Sequence, residues 1–295
     1  DPDAYTKATT IIGDIINNFK PTFGVNEFGQ LNDDYNESAL LFPFKLGYKF
    51  ESKGWSFNQS KDLRMGTTIW HLVSKTDSTD GSGIFDPRAY YFFDTNNNGK
   101  WIAYPNNPTS GMQPDGGIPY EYQRDVAYQL KGSTCLYSPA NYYLVRDLDY
   151  IPDILMTGTE VLYLRAEAYM KGYGVTQDPF QAGNEFLGGL QFSIDFWNYI
   201  MTNSKLPLGT PFSTNVHIPS SANFFAVQNN LNYFSMSTDD QMKMIWAQEW
   251  LDLFWQPQVA FSLTRRTMNT PREGAALSVY RSPIPPPEVS NNASN

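Results

Sequence analysis

Aromatic side chains, 16% of the 295 residues, are the groups in this sequence whose type and spacing most directly suggest ligand chemistry. Their rings are large, rigid contact faces on which the C–H faces of sugars can stack, while Asn amides can hydrogen-bond hydroxyl groups. Several rings flank residues 105–119, a Pro- and Gly-rich stretch predicted to be a long surface loop. The alternative is that single rings only anchor this loop to the scaffold. We expect a ligand-binding platform made of Trp101, Tyr104, Asn106, Asn107, Tyr120 and Tyr122.

The segment from Asp94 to Gly99 resembles the first half of a calcium-binding loop. Such a loop places oxygen ligands at positions one, three and five and a glycine at position six, and here Asp94, Asn96 and Asn98 hold the ligand positions. Position twelve is Pro105, so the usual bidentate carboxylate is missing. The pattern predicts either a calcium site completed by a distant carboxylate or an Asn-Gly turn between two strands. No other cofactor is expected.

Nucleophilic and phosphate-binding chemistry has little support in the sequence. His71 lies in an apolar stretch and is expected to be a hydrogen-bonded core residue, and His217 lies in a predicted loop. Neither has a Ser or Cys motif beside it, and no Gly-rich phosphate loop is present. The single cysteine, Cys135, excludes an internal disulfide and is interpreted as an unpaired structural residue. We therefore do not expect an enzyme.

Charge and hydropathy restrict the partners. The net charge of −9 argues against a nucleic-acid partner, because such binding needs a basic surface. No apolar run is long enough to span a membrane, and the N-terminus lacks the pattern of a signal peptide. Any membrane association is expected to come from an N-terminal lipid anchor outside this sequence.

Two glutamates of one predicted helix are interpreted as structural. Glu160 follows Thr157 by three residues, as in a capping box, and Glu167 is expected to pair with Arg265 or Arg266. The two glutamates are not expected to share a helix face. The sequence shows no recognisable pair of carboxylates of the kind that glycoside hydrolysis requires.

Apolar residues recurring every three or four positions predict helices at both ends of the chain. The first covers residues 4–19, and its apolar stripe must pack on a partner that is either later in the chain or upstream of it. A helical hairpin is predicted after Thr157: its first helix ends at Gly172 or Gly174, and its second begins at Asp178–Pro179. A break of the second helix at Gly188–Gly189 stays open.

Two further segments complete the predicted elements. A last long helix begins near Thr238 and is interrupted at Gln256–Pro257. Residues 90–93 and 101–104 are predicted to be strands joined by the Asp94–Gly99 turn.

Four stretches, in this order, resemble motifs of the SusD/RagB-type nutrient-binding lipoproteins of the Bacteroidetes outer membrane. They correspond to an Asp-Pro-Arg element, a helix with Arg-Ala-Glu-Ala, a Gly-to-Trp element, and an ending made of an aromatic helix, a double Arg and a Pro-Glu tail. Together they cover roughly residues 85–295. The stretches are 85–88, 160–169 and 189–197, and for the ending 245–250, Arg265–Thr267, Tyr280–Arg281, Pro287–Glu288 and Asn291.

This resemblance implies a mainly α fold, a TPR-like helical-repeat scaffold with a large irregular loop-rich region and a few short β-hairpins. Residues 1–20 would be a scaffold helix, 21–156 the loop-rich, ligand-facing region, and 157–295 the helical hairpin, the long aromatic helix and the Pro-rich tail. Full-length relatives are longer at the N-terminus.

The resemblance also implies a function in nutrient uptake. The protein would capture an oligosaccharide or polysaccharide at the cell surface, lipid-anchored to the outer membrane, and pass it to a SusC-like TonB-dependent transporter. The alternatives are a peptide-binding member of the family and a glycan-active hydrolase.

Overall fold

The computed structural model describes residues 2–18, 39–41, 64–96, 98–105, 136–141, 153–203 and 217–269. This part of the chain is mainly helical, as predicted, with one pair of short strands. The helices are α1 (Pro2–Asn18), α2 (Thr67–Val73), α3 (Arg88–Phe92), α4 (Gly158–Lys171), α5 (Pro179–Asn203), α6 (Phe224–Leu231), α7 (Thr238–Asp252) and α8 (Pro257–Thr267). The strands are β1 (Ala39–Leu41) and β2 (Asp153–Met156), which pair antiparallel with Ala39 opposite Met156.

The helical hairpin predicted after Thr157 is confirmed as α4 and α5. The Thr157 hydroxyl accepts a hydrogen bond from the Glu160 backbone N–H at 3.0 Å, which satisfies one of the unpaired amides of the first turn. Gly172 ends α4 in the left-handed conformation at a φ of 70°, where glycine has no steric cost. The Asp178 carboxylate accepts from two backbone amides at the start of α5, so local capping fixes the hairpin.

Helix α5 continues through Gly188 and Gly189 without a break. The second of these glycines is accommodated there because the helix packs closely on α4. A Cβ on Gly189 would lie 2.8 Å from Cε1 of the buried Tyr163 ring. Gly189 therefore allows close contact between the two helices, and the interruption considered from the sequence does not occur.

The predicted strand at 90–93 is wrong, because Arg88–Phe92 form the short helix α3. An Asp86 side-chain oxygen accepts from the Arg88 backbone N–H at 2.9 Å and starts the turn. A short apolar run buried on several sides has no periodicity that separates strand from helix. Residues 101–104 form no strand of their own, and Tyr104 only bridges to Gly66.

The interruption at Gln256–Pro257 is confirmed. Helix α7 ends at Asp252, a 3₁₀ turn covers Leu253–Trp255, and α8 begins with Pro257 at its first position. Proline is favoured there because the first helical amide has no partner within the helix.

Two apolar cores lie along α5. One packs α2, α3 and the segment around Trp101 against the C-terminal half of α5, with the ring centroids of Phe92 and Trp197 4.8 Å apart. The other packs α4, α6, α7 and α8 against its N-terminal half, where Phe186 stacks on Tyr233 at 4.3 Å. Helix α5 is therefore the common element that joins the loop-rich part of the chain to the helical part.

Helix α1 packs on the turn between α4 and α5, which identifies a partner later in the chain. A Cβ on Gly13 would lie 2.2 Å from the Gly174 carbonyl oxygen, so the two backbones touch. Arg165 also donates to the Ile16 carbonyl oxygen at 3.4 Å. Ile11 and Ile15 of the same helix are exposed. The division at residues 20 and 156 stays a prediction.

Candidate functional site

Trp101 does not present an exposed ring, contrary to the predicted platform. Its side chain is 6% exposed and lies in the core that includes α2 and α3. The ring stacks near Trp70, with centroids 6.3 Å apart and planes 15° apart, and meets Tyr90 edge-on at 5.4 Å. Burial of the large apolar indole explains this placement, so Trp101 is corrected from a surface ring to a core ring.

Tyr104, which directly precedes the predicted loop at 105–119, forms a partly exposed aromatic pair with Tyr137. Their rings meet edge-on with centroids 4.9 Å apart. The Tyr104 amide donates to Met65 at 2.7 Å, the Met65 amide donates to Ser138 at 2.9 Å, and the Ser138 amide donates to Ile102 at 2.8 Å. Backbone hydrogen bonds therefore hold Ile102 and Tyr104, which precede residues 106–135, close to Ser138, which follows them.

The other predicted platform residues, Asn106, Asn107, Tyr120 and Tyr122, lie outside the described residues, as does Cys135. Their role stays a prediction. Tyr137 was missed by the sequence reasoning, since it follows Tyr104 by 33 positions and only the backbone pairing brings the two rings together.

The Asp94–Gly99 segment forms a turn whose side chains serve its own backbone. The buried Asn96 side-chain oxygen accepts from the Asn98 and Lys100 amides, both at 2.9 Å, and its amide group donates to Leu136. One Asp94 side-chain oxygen accepts from the Thr95 amide at 2.7 Å. These bonds occupy the Asn96 oxygen, which the calcium interpretation needs as a ligand. Among the described residues, no group of three or more His, Cys, Asp or Glu side chains could hold a metal ion.

His71 is exposed, so its assignment to the core is wrong. Its Nε2 lies 3.2 Å from an Asp77 side-chain oxygen at the surface. The apolar neighbours in sequence misled the prediction because α2 buries only one side, with Trp70 and Val73 inside. His217 is also exposed.

Arg88 is fully buried. Its guanidinium makes an ion pair with the buried Asp86 carboxylate at 2.7 Å. The guanidinium also donates to Ser193 at 3.0 Å and to Gln248 at 2.5 Å. Burial disfavours its charge, but Coulomb attraction to Asp86 and the hydrogen bonds that Arg88 donates to Asp86 outweigh it and raise the pKa of Arg88. Arg88 thus connects the segment before α3 to α5 and α7.

Asp252 extends this network. One of its oxygens accepts from Ser193 at 2.5 Å and from the Trp197 indole at 3.1 Å, and the other accepts from Thr157 at 3.1 Å. Burial raises the pKa of Asp252, and the hydrogen bonds and the nearby Arg88 oppose that rise. The sequence motifs that contain Arg88, Ser193, Trp197 and Gln248 therefore meet in one buried network that holds the fold together.

A second charged junction joins α4, α7 and α8. Arg266 donates to both Glu167 oxygens at 2.6 Å, which confirms the predicted ion pair and selects Arg266 over Arg265. The electrostatic interactions of Glu160 and Glu167 place both beside Glu249 and Arg266. The expectation that the two glutamates face apart is wrong, because seven residues are nearly two full helical turns.

Comparison with known proteins agrees with this architecture. A family model described as SusD-like, starch-binding and associating with the outer membrane, matches residues 57–271. The match covers more than half of the chain, and the chain belongs to this family. A comparison with curated proteins gives no match.

Several solved structures are similar to parts of the chain. A SusD homologue from Bacteroides vulgatus ATCC 8482 is 20% identical with a TM-score of 0.37, and the match covers 61% of this chain and 34% of that one. A SusD homologue from Bacteroides thetaiotaomicron VPI-5482 is 17% identical with a TM-score of 0.38, covering 71% of this chain and 42% of that one. The chain thus spans less than half the length of these relatives. None of the helices in the described ranges has the length and apolarity needed to cross a bilayer.

Proposed function

We propose that this chain belongs to a glycan-binding protein of the outer-membrane surface, with the ligand held above the Tyr104–Tyr137 pair by residues of the 106–135 segment. The observation that carries the proposal is the match over residues 57–271 to a family described as starch-binding and associated with the outer membrane. A starch-type α-glucan is therefore the first ligand to test.

The described residues on either side of 106–135 support a ligand site beside Tyr104 and Tyr137. Backbone bonds among Met65, Ile102, Tyr104 and Ser138 fix the described residues on either side of 106–135 on a packed core. Binding residues are often carried by loops that a rigid scaffold positions. The two tyrosines keep part of their surface exposed at this site, where a phenol can stack on a sugar face and also hydrogen-bond a hydroxyl group.

A binding role also agrees with the chemistry of the charged groups. The buried acids Asp86, Asp252 and Glu167 are engaged in ion pairs or hydrogen bonds inside the scaffold. These three carboxylates therefore stabilise the fold. We propose capture without hydrolysis, followed by transfer to a SusC-like TonB-dependent transporter, as the family resemblance implies.

Glycan titration of matched variants tests the site. Tyr104→Ala and Tyr137→Ala should each weaken binding of an α-glucan oligosaccharide about fivefold, since one aromatic stack contributes about 1 kcal/mol. Phe261→Ala is the control, because that ring is exposed on α8. Isothermal calorimetry measures the affinities, and circular dichroism checks that the variants stay folded.

The outcomes separate the readings. Equal affinities in all variants would remove the tyrosine pair from the site. Release of reducing ends from a glycan at enzyme-like rates would show that the protein hydrolyses its ligand, and capture without hydrolysis would be wrong. Binding of oligopeptides but not of glycans would show that the ligand is a peptide. Co-purification of the full-length protein with its SusC-like transporter tests the transfer step.

A further inference from the structure

Glu249 on α7 is a buried acid that the glycan site does not use. Its side chain is about 4% exposed, and its Oε2 accepts no hydrogen bond from any described residue. The nearest cation is Arg266 of α8, whose Nη2 lies 3.9 Å from that oxygen, which is too long for a hydrogen bond. A buried carboxylate in this position lacks the hydrogen bonds that normally compensate its charge.

Arg266 is committed to a different carboxylate. Its Nη1 donates to both oxygens of Glu167, and the Trp246 indole donates to the same group at 3.0 Å. Both oxygens of Glu167 therefore accept hydrogen bonds, and Glu249 competes with Glu167 for the Arg266 guanidinium. One cation cannot neutralise two ionised carboxylates, since like charges in a buried site repel.

The charged groups around Glu249 come from all three helices. Glu160 and Glu167 face it from α4, Asp252 lies one turn further along α7, and Arg266 is the cation from α8. Asp252 is also close to the buried Arg88. With the three glutamates ionised, three negative charges therefore face the one positive charge of Arg266.

We propose that this junction, made of Glu160, Glu167, Glu249 and Arg266, is a proton-operated clasp that fastens α8 to α4 and α7. With a proton on Glu249, Arg266 serves Glu167 alone and α8 is held. When Glu249 loses that proton, its charge is buried without a hydrogen bond to Oε2 and beside the like charges of Glu160 and Glu167. Arg266 offsets only part of that cost, so an opening of α8 that hydrates the carboxylate becomes easier. Burial, which raises the pKa of Glu249 to about 8, brings this change into a mildly alkaline range.

Hydrogen exchange of the α8 amides tests the clasp. Protection factors corrected for the intrinsic exchange rate should fall at least about threefold between about pH 6.5 and pH 9.5, because ionisation lowers the cost of local opening. Glu249→Gln keeps the size of the side chain and removes its titration, so its α8 protection should fall clearly less than that of the wild type over the same range. The α6 amides (Phe224–Leu231) of the same sample are the control.

Two results would overturn the clasp. One is equal α8 protection at both pH values in the wild type, and the other is a wild-type-like fall in Glu249→Gln. Should Glu249→Gln fail to fold, Glu160→Gln replaces it. Removing the Glu160 charge should move the midpoint of the fall to lower pH, and an unmoved midpoint would contradict the mechanism.

Discussion

At the scale of single residues, the motifs that connect this chain to its family are positions of buried polar contact. Arg88, Ser193 and Gln248 lie in three separate stretches of sequence and meet inside the molecule. Each bond joins residues more than a hundred positions apart. Buried charges are tolerated only when paired and hydrogen-bonded, so these residues specify how α3, α5 and α7 pack.

Replacement of Arg88 should be among the most damaging substitutions. Arg88→Ala leaves the buried Asp86 carboxylate without its cation, and breaking one partner of a buried pair costs about 3–5 kcal/mol. Arg265→Ala, on the exposed side of α8, should stay within about 0.5 kcal/mol of wild type. Urea unfolding followed by circular dichroism measures both, and similar midpoints would show that the network contributes little.

The two raised glutamate pKa values predict a falling stability with rising pH. Burial raises the pKa of Glu249 to about 8 and that of Glu160 to about 7, whereas both lie near 4.5 in the unfolded chain. Between these values the folded state binds more protons than the unfolded state, so the free energy of unfolding decreases as pH rises. The stabilisation is complete below about pH 4.5 and is lost as pH passes about 8.

Urea unfolding midpoints measured from about pH 5 to about pH 8.5 test whether stability falls as pH rises. Wild-type stability attributable to these groups should decline from about pH 5 to about pH 8.5, and Glu249→Gln should show a shallower decline. The variant should therefore gain on the wild type as pH rises. Parallel curves for the two proteins would mean that Glu249 does not titrate differently on folding.

At the scale of elements, the sequence reasoning succeeded where a helix carries its own boundary signals. Thr157, Gly172 and Pro257 mark helix ends through their own backbone or side-chain chemistry, and each marks the observed end. Helix α3 has five residues, three of them aromatic, and is too short to show a helical periodicity. Asp86 starts its first turn, but its burial depends on the distant α5 and Phe254, so the aromatic run alone did not separate a helix from a strand.

Adjacent glycines of α5 should respond to the same substitution with opposite signs. Gly188 has room for a Cβ, with the nearest Leu162 carbon at 3.7 Å, so Gly188→Ala should stabilise by about 0.5–1 kcal/mol through helix propensity. Gly189→Ala would push a Cβ against the Tyr163 ring and should destabilise by about 1–2 kcal/mol. Thermal and urea unfolding of the pair compares them, and equal effects would contradict the packing described here.

At the scale of the whole molecule, the position of the candidate site could be predicted only in part. The sequence indicated a loop at residues 105–119, directly after Tyr104. In the structure, backbone hydrogen bonds join Ile102 to Ser138 and join Met65 to both Tyr104 and Ser138. Which rings remain at the surface could not be read from residue type, because Trp101 and Tyr104 are equally aromatic and only one is enclosed by α2 and α3. The pairing with Tyr137 required the folded backbone.

The enclosure of the indoles has a practical consequence for optical experiments. Of the six tryptophans in the described ranges, Trp70, Trp101, Trp197, Trp246 and Trp255 are buried. Their emission should be blue-shifted and should follow melting of the protein's interior. A sugar stacked on Tyr104 and Tyr137 would hardly change the tryptophan emission. A flat fluorescence titration therefore says little about binding, and calorimetry is the method that decides it.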